Sequence, residues 1–303
     1  MSRKMRGIYA IPCTPMKDDF SLDEDGLVCT INFIVASGAH GIVSPVNASE
    51  FTTLTDDERK RVVEICSKVN NGRVPYIAGV AGTYTVGAAM FARHAEDAGA
   101  DGVIAMPPYV QKACETEIFK YYEAISKVIK IPIFIQNYDP PVGTPLSASF
   151  MAKLINEIEN VHFVKEETQY AGHVITELVS LLKNSPKFDG VMGGKAGRYI
   201  IDEYRRGCCG NMPACEICDI QVKIWNALEN GDEKEAEKIL DQIFPLLNIE
   251  FIYGSTVYKE VLRRRGIIKT VTVRSLNNKV LDNFDHKELD RIMSKIKPLF
   301  AIP

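Results

Sequence analysis

Leu54-Thr-Asp-Asp-Glu-Arg-Lys-Arg-Val-Val-Glu-Ile65 is the stretch on which the fold turns. Thr55 and Glu58 stand three apart, the spacing at which a hydroxyl and a carboxylate cap each other's backbone N–H at a helix start. Val62, Val63, Ile65 and Val69 follow at helical spacing, so the segment predicts a helix with one apolar face. It lies between two short apolar runs rich in β-branched residues, near Gly41 and Pro75. The next unit repeats the plan: Val86, Ala89, Met90, Ala92, His94 and Ala95 keep helical spacing up to Gly99, a residue suited to stop a helix.

Working outward, apolar runs begin near Gly7, Gly41, Pro75, Gly102, Pro132, Val161, Phe188 and Cys209, with an amphipathic pattern in each gap. Near-continuous apolar strands alternating with helices imply a parallel sheet covered by helices. Eight such units within the first ~225 residues predict an α/β fold, a (β/α)8 TIM barrel, rather than a doubly wound sheet of about five or six strands. No Gly-x-Gly-x-x-Gly follows the first run, which further disfavours a dinucleotide fold. Beyond Asp219 the patterns are helical only: Gln221 to Leu228, Lys234 to Leu247, Thr256 to Arg265 and His286 to Ile296. The expected organisation is a catalytic barrel over 1-225 and a C-terminal helical extension over 226-303, packed on the barrel.

Composition narrows the function. The 303 residues are 46% hydrophobic and 25% charged, which excludes a disordered chain. Lys+Arg is 36 against Asp+Glu 39, so the basic excess of a nucleic-acid binder is missing, and Arg263-Arg264-Arg265 reads as a solvated helix end. No apolar run approaches the ~18 residues that span a bilayer. The basic start, Met1-Ser-Arg-Lys-Met-Arg6, is followed only by Ile8 to Ile11 before Pro12, so it reads as the approach to a first strand and not as a leader. Eight scattered cysteines fit a reducing cytoplasm. Cys215-x-x-Cys218 lacks a second ligand pair and the five histidines lack HxH or HxxxH spacing, so no metal is expected.

In such barrels the active site sits at the C-terminal ends of the strands. Val161-His-Phe-Val-Lys165 ends in a lysine that, with period 2, shares a face with Phe163. Burial there disfavours the ammonium form, and a neutral amine is what Schiff-base chemistry requires. The plain alternative is a surface lysine paired with Glu166 or Glu167.

Gly7-Ile-Tyr-Ala-Ile-Pro-Cys-Thr-Pro15, Glu50 with Leu54-Thr55-x-x-Glu58-Arg59, His94-Ala95-x-x-Ala98-Gly99-Ala100-Asp101-Gly102, Pro107-Pro108-Tyr109 and Phe163-Val164-Lys165-Glu166 fall in the order and spacing of one family. The chain resembles the dihydrodipicolinate synthase / N-acetylneuraminate lyase superfamily over nearly its whole length, helical tail included. That resemblance implies a barrel, usually a homotetramer, in which Lys165 forms an imine with the keto carbon of a small-molecule 2-oxo acid. The covalent imine stands in for any cofactor.

Departures from the family pattern refine the expectation. Val46-Asn47-Ala48-Ser49-Glu50 replaces Gly-Thr-Thr-Gly-Glu, and the N–H groups of Asn47, Ala48 and Ser49, with the Asn47 and Ser49 side chains, are expected to keep a carboxylate pocket. Glu50 could titrate there, but buttressing the loop is its expected role. Gln136 stands where the family has a tyrosine used in proton transfer; an amide can orient but not titrate. Tyr138, two residues on, shares that face and is a candidate to take over. Asp139-Pro-Pro-Val-Gly143 lacks the arginine of the lysine-pathway synthases, and Val110 follows Tyr109 where they carry a second relay tyrosine, so dihydrodipicolinate synthesis is not expected. Gly193 is expected to let backbone approach the substrate, and Met212 to line the pocket.

The pattern Asn47-x-Ser49-Glu50, Tyr109, Gln136, Gly143-Thr144-x-x-Ser147 and Lys165-x-Glu167-Thr168 is similar to the branch acting on 2-keto-3-deoxy sugar acids, of the 2-keto-3-deoxyarabonate dehydratase type. Dehydration is therefore expected, with a pyruvate-dependent aldolase as the alternative. A retired barrel that only binds a 2-oxo acid is a third reading.

Overall fold

The computed structural model describes residues 5–275 and 279–302. Eight strands close in sequence order, β1 to β8, into a barrel. They are β1 Gly7–Ala10, β2 Gly41–Ser44, β3 Tyr76–Gly79, β4 Gly102–Ala105, β5 Ile133–Tyr138, β6 Val161–Glu167, β7 Gly190–Gly193 and β8 Gly210–Asn211. The intervening helices are α1 Glu24–Ala36, α2 Asp56–Asn70, α3 Thr85–Asp97, α4 Glu115–Val128, α5 Ala148–Glu157, α6 Ala171–Leu181 and α7 Ile200–Arg205. After β8 come α8 Cys218–Glu229, α9 Glu233–Tyr253, α10 Ser255–Arg264 and α11 Asn283–Ile296. The (β/α)8 barrel with a helical C-terminal extension is thus the fold that the alternating pattern predicts. Met1–Lys4 of the basic start lie outside the described residues; Gly7–Ala10 form β1.

Local chemistry explains the boundaries. The Thr55–Glu58 capping box is formed in both directions at the start of α2. Asp23, Ser147 and Asp282 likewise accept backbone N–H groups at the starts of α1, α5 and α11, filling donors a helix end leaves unpaired. No helix among the described residues is long and apolar enough to cross a membrane.

The chain divides into two compact units. The first, Met1–Arg6 with Pro75–Met212, carries β3 to β8. In it β5 and β6 form the longest ladder, and its register slips once: Ile133 opposes Val161 but Phe134 opposes Phe163, passing over His162. From there the pairs run Gln136–Lys165, Asn137–Glu166 and Tyr138–Glu167. A one-residue slip exchanges the two faces of a strand, so this irregularity decides which side chains meet across the ladder.

The second unit, Gly7–Val74 with Pro213–Pro303, holds β1, β2 and the C-terminal helices. Here the arginine triplet departs from the solvated helix end. Arg263 and Arg264 both hold Glu260, and Arg265 is buried, its fork on both carboxylate oxygens of Asp219 at 2.9 and 2.8 Å and its plane against Phe33 and Phe300. A planar guanidinium suits such a site because it is bidentate and weakly hydrated.

Candidate active site

β6 delivers Lys165 to the interior of the first unit. Its ammonium nitrogen lies 2.8 Å from Glu167 Oε2, with the two side chains only 2% and 7% exposed. The pair is therefore a buried one, not the surface pair weighed as the plain alternative. A strand's side chains alternate, so Lys165 and Glu167 stand on one face, as do Gln136 and Tyr138 on the neighbouring β5. Below them Phe134 and Phe163 stack with ring centroids 4.3 Å apart, an apolar floor beneath the charged pair.

Glu167 is the best-connected group of this cluster. Oε2 also accepts from Gln136 Nε2 at 2.8 Å, and Oε1 accepts from the Lys195 backbone N–H at 3.2 Å. A Cβ on Gly194 would come 2.2 Å from Oε1, so only glycine leaves this carboxylate its space. The opposite face of the ladder is separately satisfied. Glu166, fully buried, accepts from Asn137 at 2.7 Å and from the Thr168 N–H and hydroxyl, and burial still raises its proton affinity.

Gln136 thus meets Lys165 in register and touches its partner carboxylate, as an orienting amide. Tyr138 is half-buried at the next pair up; burial, then the charges of Glu167 and Asp139, push its phenol up to about 12. It stays protonated at neutral pH and can donate but not accept a proton. Gly193 ends β7, and the space beside it belongs to Glu203, whose Oε2 would lie 1.8 Å from a Cβ there. The N–H of Met212, just past β8, donates to Gly193 O at 3.0 Å. Tyr109 is half-buried in the loop after β4, where Pro108 O accepts from Thr144. Beyond it, Lys195 reaches Asp139 at 3.2 Å.

Asn47, Ala48, Ser49 and Glu50 belong to the second unit, in a short 3-10 turn after β2. Ser49 is committed within it: its hydroxyl donates to Pro12 O, its N–H to Val46 O, and its carbonyl accepts from Thr14. Asn47 differs, its Nδ2 being buried with no hydrogen-bond partner among the described residues. Glu50, at a left-handed φ of 55°, is wholly occupied: Lys259 lies 2.5 Å from Oε1, and the N–H groups of Arg274 and Ser275 donate to Oε2.

The sequence reading gave Glu167 no chemical role. The signal was present, since period 2 from Lys165 points to residue 167. Glu203 carried no such signal, because Ile200–Arg205 reads as an ordinary amphipathic turn.

Residues 4–295 match the Dihydrodipicolinate synthetase family. A 4-hydroxy-tetrahydrodipicolinate synthase of Bradyrhizobium diazoefficiens is 32% identical over 251 residues, covering 82% of each chain. An L-2-keto-3-deoxyarabonate dehydratase of Azospirillum brasilense is 30% identical over 264 residues, 86% of this chain and 84% of its own. In structure, a dihydrodipicolinate synthase from Aquifex aeolicus is similar with a TM-score of 0.88 at 25% identity, over 98% of this chain and 99% of that one.

Proposed function

The chain belongs to the Dihydrodipicolinate synthetase family, a family of lyases, and on that premise we propose that it is a Schiff-base dehydratase of a 2-keto-3-deoxy sugar acid of the 2-keto-3-deoxyarabonate type. The observation that carries this reading is the buried Lys165–Glu167 contact at 2.8 Å, flanked by Gln136 where a titrating phenol would serve other chemistry.

In this mechanism Glu167 takes a proton from the Lys165 ammonium, and the freed amine attacks C2 of the substrate. Glu167 returns that proton to the C2 oxygen, which leaves as water to give an iminium. The iminium draws electrons from C3, and Glu167, beside the same nitrogen, takes a C3 proton to leave an enamine. The enamine expels the C4 hydroxyl, which leaves as water after receiving that proton. One carboxylate thereby moves one proton from C3 to O4. The unsaturated iminium then loses a C5 proton and is protonated at C3, and the resulting C4–C5 enol tautomerises to the aldehyde. Hydrolysis of the imine releases the semialdehyde and returns Lys165. The iminium is the electron sink, so the reading calls for no metal or added cofactor. Gln136 holds Glu167 in line, and the protonated phenol of Tyr138 is a second donor for the C4 oxygen.

The family pattern gives the substrate carboxylate to Asn47, Ala48 and Ser49; the unpartnered Asn47 Nδ2 supports that role for Asn47. The Ser49 hydroxyl and N–H instead donate to Pro12 O and Val46 O and hold the turn, and Glu50 is read as the buttress. The reading includes a homotetramer in the cytoplasm. Against dihydrodipicolinate synthesis stand Gln136 and an Asp139–Gly143 segment without arginine, although relatives of both kinds are about equally similar.

Incubation with 2-keto-3-deoxy-L-arabonate tests the proposal. A five-carbon semialdehyde is the expected product; pyruvate with a two-carbon aldehyde would make the protein an aldolase. Borohydride trapping without turnover across a panel of such acids would make it a binder.

A further inference from the structure

Two consecutive glycines at the end of β7 make room for two carboxyl groups. Gly193 is filled by Glu203 and Gly194 by Glu167, at 1.8 and 2.2 Å from the positions a Cβ would take. Gly194 leaves the strand at φ −153° and ψ −133°, and a side chain at either glycine would take the space of a carboxyl group. Glu203 and the proton-transfer carboxylate therefore back adjacent residues of the same turn. It is 2% exposed, on α7, and accepts from Asn211 Nδ2 at 2.8 Å.

That amide nitrogen also reaches Gly194 O at 3.4 Å, and the next residue, Lys195, gives its N–H to Glu167 Oε1. The chain of contacts is continuous from Glu203 through Asn211 and the Gly194–Lys195 peptide to Glu167. Asn211 is fully buried, and its Oδ1 has no partner among the described residues. An orphaned buried acceptor costs stability, so it calls for a functional account.

We propose that Glu203 and Asn211 are positioning residues for Glu167, fixing the Gly193–Lys195 turn that presents a backbone N–H to the proton-transfer carboxylate. This rests on the Schiff-base reading and adds to it the part that keeps the base in place. Glu203 can do this only while uncharged. Burial first, opposed by the Asn211 hydrogen bond and reinforced by the charges of Glu167, Asp202 and Glu166, pushes its carboxyl up to about 8. The ionisable groups facing it are Glu166 and Glu167 of β6, Asp202 on its own helix, itself paired to Arg206, and Cys208 beyond it. All but the arginine are acidic, so an ionised Glu203 is expelled from its place and the turn loosens.

The test follows exchange of pyruvate methyl protons with deuterium oxide, which needs both the imine and the base, alongside borohydride trapping of pyruvate on the same samples. In the wild-type protein exchange falls above about pH 8. Glu203→Gln keeps the Asn211 contact without the charge; it should exchange within about threefold of wild type at neutral pH and move the alkaline fall up by about one unit or more. Asn211→Ala should lower exchange about tenfold or more while the pyruvate concentration for half-maximal trapping changes less than about threefold. A Glu203→Gln profile that overlays the wild type, or an Asn211→Ala protein that exchanges normally, overturns the inference with the imine intact. Absence of a trapped adduct on wild-type Lys165 overturns the Schiff-base reading, and this inference with it.

Discussion

Glu167→Gln is the sharpest perturbation the site allows. The substitution keeps shape and an acceptor for Gln136 or Lys165 but removes the group proposed to move the proton. A positioned acid–base contributes ~10²–10⁴-fold, which is about 3–5 kcal/mol of barrier. Stability must be separated from this. At 2.8 Å and an effective dielectric of about 20 the Lys165–Glu167 charges attract by about 6 kcal/mol before desolvation is subtracted. Breaking a buried pair from one side costs ~3–5 kcal/mol net, with the variant at the lower end because its amide still accepts a hydrogen bond. The assay is therefore exchange of pyruvate methyl protons in deuterium oxide, run well below the variant's own Tm, with borohydride trapping beside it. Exchange should fall at least about a hundredfold while a trapped adduct still accumulates on Lys165. A variant that exchanges within about threefold of wild type would refute Glu167 as the base; one that no longer traps pyruvate would give the carboxylate a part in imine formation instead.

Gly194→Ala should reproduce much of that loss without touching either charge, because its Cβ would need the space held by Glu167 Oε1; full exchange activity would mean that the carboxylate has room to spare. Stability should fall as pH rises. Burial pushes Glu203 and Glu216 up to about 8 and about 7, above the ordinary 4.5, so the native state holds protons that the unfolded chain releases. Their contribution is full below about pH 4.5 and is lost as pH rises through 7 to 8, a change of a few kcal/mol that urea midpoints at about pH 5.5 and 8.5 would reveal, and that Glu203→Gln should shrink. A midpoint independent of pH contradicts this. Lys259→Met strands the buried Glu50 carboxylate and should cost ~3–5 kcal/mol, most of it recovered in the Lys259→Met, Glu50→Gln double variant; equal stability of single and double variants would mean that the pair is not coupled.

Much of this protein is local and therefore legible. The Thr55–Glu58 cap, the apolar runs and the helical stripes depend on residues a few positions apart, and the barrel follows from their order. Lys165 was also open to sequence reasoning, since a lysine closing an apolar strand breaks a pattern. Its environment was not. The register slip at His162 decides that Gln136 and Tyr138 oppose Lys165 and Glu167, and a slip is a property of two strands together. Arg265 shows the same limit in the second unit: three adjacent arginines look alike in sequence, yet one points into the core because Asp219, 46 residues away, waits there. Glu203 and Asn211 meet behind Gly193 only once α7 and β8 have packed, and the burial that sets Glu203's proton affinity exists only in the folded chain. The sequence by itself determined the barrel and its lysine, because periodicity and spacing are short-range. Only the tertiary structure decided which carboxylate shares that lysine's interior, because desolvation and register arise between segments that the chain brings together from a distance.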